Sequence, residues 1–263
     1  MRDGEFPVDF LGEVSCFETL RVYDGRPFRL AEHCARLGQS CAAIGRTLPC
    51  APADLGRWMK EAVRESGFGG AIVRLGVHWA GRTRTEVTAV LREFSGHPPR
   101  LYREGVALKT AVPRRWTLRA QDPRIKASQF VGGVLAFLEA SGQRPHEFVF
   151  LNSAGTVAEG SVSNLFVVDG AKRLLTPSVS SGILRGVTRD VLMVLAKKKG
   201  FEVLETALTR HEIYSAKECF MTNTSSEVLP VVRVDERVIG QGAPGEVTRM
   251  LAAEFKKEVL RSP

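Results

Sequence analysis

The sequence is poor in everything that marks a protein for export, a membrane or a structural metal. No stretch of its 263 residues approaches the ~20 consecutive apolar residues of a membrane span. The opening Met1-Arg-Asp-Gly-Glu lacks the apolar run of a secretory signal, so no export signal is expected here. The five cysteines, Cys16, Cys34, Cys41, Cys50 and Cys219, are odd in number and show no CxxC spacing. That usage argues for a reducing, cytoplasmic setting and against zinc, so no metal is expected. Internal repeats and low-complexity segments are also missing. What remains is a globular chain with ordinary 44% hydrophobic and 25% charged content, long enough for one large or two modest domains.

The net charge of +8 raises the question of nucleic acid. The basic residues alternate with acids and apolar runs, and only Arg114-Arg115 and Lys197–Lys199 cluster. A basic surface of this kind serves solubility or the capture of small anions, so no nucleic-acid partner is expected, and no membrane partner either.

In chain order, Cys16-Phe-Glu-Thr-Leu-Arg-Val leads to Asp24-Gly25, a hairpin signal. Leu30, Cys34, Leu37, Cys41 and Ile44 recur at helical spacing. Arg36 falls at the edge of that stripe, where the pattern alone reads as a solvated arginine. A second helix is expected over Ala53–Ser66 and strands over Ala71–Val77 and Thr85–Leu91, across a turn at Ala80-Gly-Arg-Thr. The first domain, helices on an antiparallel sheet, is taken as residues 1–110, with Val106-Ala-Leu-Lys-Thr as its last strand. The aperiodic residues 111–122 form an interdomain connection, and 123–263 the larger second domain. Lys126 precedes an apolar helical run beginning near Val131. Later, Thr188–Lys199 reads as a helix stopped by Gly200. Glu218–Val232 reads as strand, hydroxyl-rich turn and strand, and 243–260 as a closing helix.

The centre of the chain holds the chemistry. Phe148–Leu151 and Leu165–Val168 are apolar runs on either side of a polar segment with one acid, Glu159. Gly182-Ile-Leu-Arg-Gly-Val-Thr then opens a helix, and such a loop offers backbone N–H groups and a positive dipole end to an anion.

Together, Val157-Ala-Glu-Gly-Ser-Val-Ser-Asn-Leu-Phe, Leu175-Thr-Pro and Gly182-Ile-Leu-Arg-Gly-Val-Thr-Arg resemble the fold-type IV pyridoxal-phosphate enzymes. These are the branched-chain aminotransferases, D-amino-acid aminotransferases and aminodeoxychorismate lyases. The resemblance implies an α+β protein of two domains with pyridoxal 5'-phosphate in the cleft between them, working as a homodimer. It implies that Lys126 bonds covalently to the cofactor and that Glu159 faces its ring nitrogen. Arg36, the N–H groups of Val187 and Thr188, the Thr188 hydroxyl, Thr224 and Ser225 would hold the phosphate. Phe17 would line the substrate side, or be a plain core aromatic. Arg21, Arg114 and Arg115 are candidates for a substrate carboxylate.

The sequence departs from the family pattern at Ser15, Gln129, Phe130 and Arg185. The activity implied is transfer of an amino group between an α-amino acid and a 2-oxo acid. Thr224-Ser-Ser-Glu and the run after Lys126 favour this over the alternative, aminodeoxychorismate lyase, for which Asn223 speaks. A second alternative is a non-catalytic basic binding protein on the same fold.

Overall fold

The computed structural model describes residues 15–80, 84–115, 122–127, 134–136, 138 and 145–262. Residues 81–83 of the Ala80-Gly-Arg-Thr turn, Gln129, Phe130 and most of the helical run after Lys126 lie outside the described residues, as does the 116–121 part of the connection. The chain divides into two units. One comprises Met1–Ser95, Ile125–Phe130 and Ser262–Pro263; the other comprises Gly96–Arg124 and Val131–Arg261.

The first unit is a four-stranded antiparallel sheet carrying two helices. Strands β1 (Ser15–Tyr23), β2 (Arg26–Pro27), β3 (Ala71–Ala80) and β4 (Arg84–Glu93) run in the order β2-β1-β3-β4. Asp24 and Gly25 both take positive φ, 48° and 71°, and Tyr23 pairs with Arg26, the tight hairpin that Asp-Gly favours. Helix α1 (Leu30–Ala43) turns Leu30, Cys34, Leu37 and Cys41 onto the sheet, as the spacing predicts. Helix α2 (Pro52–Ser66) adds Leu55, Met59 and Val63. They meet Cys16, Leu20 and Val22 of β1 and Val73, Leu75 and Val77 of β3. Strand alternation leaves Phe17, Thr19 and Arg21 on the other face of β1.

The second unit is built on a nine-stranded sheet. Its strands are β5 (Val106–Thr110), β6 (Glu147–Leu151), β7 (Val157–Gly160), β8 (Asn164–Val168), β9 (Leu174–Pro177), β10 (Val203–Thr206), β11 (Glu218–Asn223), β12 (Glu227–Val234) and β13 (Arg237–Val238). The order is β10-β9-β8-β11-β12-β5-β6-β7, with β13 on β12. The helices are α3 (Pro99–Glu104), α4 (Val187–Lys198), α5 (Arg210–Tyr214) and α6 (Glu246–Arg261).

Strand β5, assigned by pattern to the first domain, pairs in parallel with both β12 and β6 and so belongs to this second sheet. Its partners lie far along the chain, so the local pattern carries no sign of them. Strand β6 is buried along its whole length because it packs on both faces. Val149 and Leu151 enter the main core, while Phe148 and Phe150 meet Ala111 and Ala136. Among the described residues no helix is long and apolar enough to cross a membrane.

Candidate active site

Lys126 is fixed to the first unit through its backbone. Strand β2 pairs with β1 only at Val22 and Tyr23, which leaves the Phe17 end of that edge uncovered. Residues 126 and 127 take the place: the Phe17 N–H donates to the Lys126 carbonyl at 3.0 Å, and Cys16 bridges to Ala127. On the other side the Lys126 N–H donates to the buried Ser40 hydroxyl of α1 at 3.1 Å. Ile125 packs on the core next to it. The side chain is half-buried, and Nζ lies 4.8 Å from the centre of the Phe17 ring.

A second cation shares that ring. The Arg74 guanidinium lies 3.8 Å from its centre. Sequence reading passed over Arg74, although the signal was present: in Ala71–Val77 the apolar residues alternate, which puts Arg74 on the face away from the helices. Register then sets it beside Thr19. Arg21 is buried, with its guanidinium 4.6 Å from the Tyr23 ring and 5.0 Å from the Phe94 ring.

On the helix face of β1, Glu18 is fully buried. Arg36 donates to it from Nε and Nη2, both at 2.7 Å, and His33 Nδ1 stands 2.8 Å from its Oε2. Burial works against ionising this acid, but the bonds and charges of Arg36 and His33 outweigh it. The carboxyl is held at about 2 against an ordinary 4.5. Glu18 was also missed in sequence. Its signal was an acid at a core-facing position of a strand, which demands a buried partner.

Glu159 lies in the second unit at an irregular point of β7. Val149 pairs with Gly160 and Leu151 with Val157, so the β7 strand carries an extra residue between them. Bulges of this kind re-aim a side chain. The buried carboxylate receives Arg115 Nη2 on Oε1. Its Oε2 receives the Leu184 N–H at 2.8 Å and Asn164 Nδ2 at 3.4 Å. Asn164 Nδ2 also donates to the Leu184 carbonyl at 2.9 Å, so one amide ties the acid to the loop that opens α4. Arg115 therefore sits on Glu159, and Arg114 beside it is exposed.

That loop ends at Gly186, the residue before α4, and no side chain caps the helix. The N–H groups of Val187 and Thr188 are thus not used by the helix itself. Thr188 is buried. Arg185, unusual for its motif, is mostly exposed and pairs through Nε with Asp190 Oδ2 at 2.7 Å across the first turn. In the β11–β12 turn, Asn223 Oδ1 receives the Ser226 N–H at 2.6 Å and the Ser225 hydroxyl at 3.1 Å. Glu227, at φ 57°, completes the turn. Thr224 and Ser225 are half-buried at its tip.

Pyridoxal phosphate asks its protein for an amine, a negative partner for the ring nitrogen and an anion cradle. The residues present fit. Lys126 offers the amine, Glu159 is a buried, fixed carboxylate, and α4 starts with unspent donors. The buried hydroxyls of Thr222, opposite Asn164 in the sheet, and Ser161 have no hydrogen-bond partner among the described residues, which suits a polar ligand.

Comparison with known proteins agrees. The family model described as amino-transferase class IV matches residues 15–234. A branched-chain-amino-acid aminotransferase of Pseudomonas aeruginosa is 31% identical, over 92% of this chain and 83% of its own. A D-alanine aminotransferase of Bacillus licheniformis is 33% identical, over 93% and 87%. The crystal structure of a branched-chain amino acid aminotransferase from Thermobaculum terrenum in its PLP-bound holo-form superposes with a TM-score of 0.86. It is 29% identical and covers 93% of this chain and 84% of that one. The molecule is thus a pyridoxal-phosphate enzyme of fold type IV. Within that class, the chain belongs to the class IV aminotransferases.

Proposed function

We propose that this aminotransferase moves an amino group between a 2-oxo acid and an α-amino acid of the branched-chain or D-amino-acid type. The observation that carries this reading is Lys126, whose backbone is bonded on both sides while its amine stands against the Phe17 ring. Support for the substrate types comes from relatives named for each.

When bound, pyridoxal phosphate supplies an aldehyde carbon that takes the amino group and a ring that accepts electrons. Lys126 would attach through Nζ and, once displaced, carry the proton to and from the substrate α-carbon. Glu159 would keep the ring nitrogen protonated. Arg36, the N–H groups of Val187 and Thr188, the Thr188 hydroxyl, Thr224 and Ser225 would hold the phosphate. Phe17 would border the substrate. Arg74 is favoured over Arg21 and Arg114 for a substrate carboxylate, because it shares the Phe17 ring with the Lys126 amine. Asn223, which fits the lyase wording, builds its own turn and so lends the lyase no support.

A homodimer in the cytoplasm is proposed from the family resemblance and the cysteine usage. Light scattering on the eluted protein tests the dimer. The activity is tested by adding pyridoxal phosphate, recording the visible absorbance, and screening L- and D-amino acids against 2-oxoglutarate and pyruvate. Amino transfer to either acceptor is the expected result. Pyruvate release from aminodeoxychorismate without transfer would establish the lyase instead. A colourless protein would leave the non-catalytic reading.

A further inference from the structure

Glu147 is a second buried acid close to Glu159 that the reaction does not use. It stands at the start of β6, where β5 presents Leu108 to it. Its Oε1 receives the Val162 N–H at 2.7 Å and the Ser163 hydroxyl at 2.8 Å. Both donors belong to the turn that leaves β7. That turn is closed by the Gly160 N–H on the Ser163 carbonyl at 2.7 Å, and the Ser161 N–H donates to the Phe148 carbonyl of β6 at 3.0 Å. Gly160 directly follows Glu159. A Cβ at Gly160 would overlap both Glu147 Oε1 and Ser163 Oγ. The carboxyl of Glu147 is therefore the floor on which the chain rests as it leaves Glu159.

The charges around it are unequal. Glu159 on β7 is paired with Arg115, which follows β5. Lys109 of β5 pairs in register with Phe148 and lies on the other face. No cation among the described residues bonds to Glu147. Two adjacent buried carboxylates cannot both be ionised cheaply. Burial first, and the charge of Glu159 after it, push Glu147 up to about 7, against the pull of its backbone and hydroxyl donors.

We propose that Glu147 is a positioning residue for Glu159: its carboxyl pins the 160–163 turn through Val162, Ser163 and Gly160, and in its protonated form it leaves Glu159 the sole negative charge of the pair. The inference rests on the ring-nitrogen role given to Glu159 above. An ionised Glu147 would compete with Glu159 for Arg115 and repel its charge; a missing one would free the turn. The amide of Gln keeps the shape and the acceptor oxygen and carries no charge, so it reproduces the protonated acid. Ala removes the floor.

The experiment compares wild type, Glu147→Gln, Glu147→Ala and, as a control, Glu159→Gln. Infrared spectra of the cofactor-free proteins, taken below the Glu147 midpoint, read the protonation state without turnover. The carboxylic-acid band of the wild type should be missing in Glu147→Gln; its persistence there overturns the proposal. In steady-state kinetics Glu147→Gln should keep kcat within about threefold, while Glu147→Ala loses about tenfold or more in kcat at unchanged KM, the mark of a displaced group. If Ala does not fold, Ser163→Ala, which deletes one donor to Oε1, should lower kcat in the same direction. Loss in Gln equal to that in Ala, or no loss in either truncation, overturns it. A Glu159→Gln enzyme with full turnover removes the ring-nitrogen reading and this one with it. An impaired Glu159→Gln beside a fully active Glu147→Ala defeats the positioning role alone.

Discussion

Arg36 grips Glu18 with two parallel hydrogen bonds, Nε to Oε1 and Nη2 to Oε2, each 2.7 Å. The arginine proposed for the cofactor phosphate is thereby anchored to the strand that also holds the Lys126 backbone. Glu18 is ionised in the fold with its carboxyl at about 2, below its ordinary 4.5. A depressed acid gives stability that is present above the unfolded value and lost as pH falls through the folded one. Glu18→Gln should therefore destabilise the protein at neutral pH by about 3 kcal/mol. The gap from wild type should shrink as pH falls from 4.5 toward 2. Urea unfolding at a series of pH values measures it, and a gap independent of pH would show that Glu18 is not ionised in the fold.

Lys126 is the residue on which covalent attachment depends. Borohydride reduction of the cofactor-loaded protein should place the adduct on the peptide containing Lys126, read by mass spectrometry. Its backbone bonds to Phe17 and Ser40 do not involve the side chain, so Lys126→Ala should fold with an unchanged melting profile. The variant should lose turnover by at least ~10³-fold. An adduct on another lysine contradicts the assignment.

Much of the candidate site was legible in the sequence as local pattern, for a physical reason. Glu159, Gly186, Val187 and Thr188 lie in one continuous stretch whose strands and helix start are set locally by apolar runs and glycines. Helix α1 was equally legible, since Leu30, Cys34, Leu37 and Cys41 keep strict helical spacing. The sequence could not tell where parallel partners lie, so pattern grouped β5 with the first domain while it pairs with β12 and β6. Nor could it show which charges meet across strands. Arg115 was considered for the substrate and stands on Glu159, while Arg74, a single charge in an alternating strand, lies over Phe17.

Glu159→Gln keeps the outline of the side chain and an oxygen for the Leu184 N–H, but gives up the charge. Cofactor should remain bound, as judged by visible absorbance. The ring nitrogen should lose its proton, and kcat should fall by about 10²-fold or more. Stability should drop as well, because the buried ion pair between Arg115 and Glu159 is lost. Wild-type turnover in this variant contradicts the ring-nitrogen role.

Gly182 and Gly186 flank the loop before α4 and should fail differently when changed to Ala. Gly182 has φ 89° with open space around its missing Cβ, so Gly182→Ala meets only backbone strain, about 1–2 kcal/mol. Gly186 has an ordinary φ of −72°, but a Cβ there would overlap Asn164 Oδ1. Asn164 cannot yield without loosening its bonds to Glu159 and to the Leu184 carbonyl. Gly186→Ala should therefore cost ~1–3 kcal/mol and disturb both the acid and the helix start at once. In calorimetry both variants should melt lower than wild type. In absorbance titration with pyridoxal phosphate, Gly186→Ala should bind more weakly than Gly182→Ala at matched stability. Equal affinities would mean that the Asn164 contact does not shape the cofactor site.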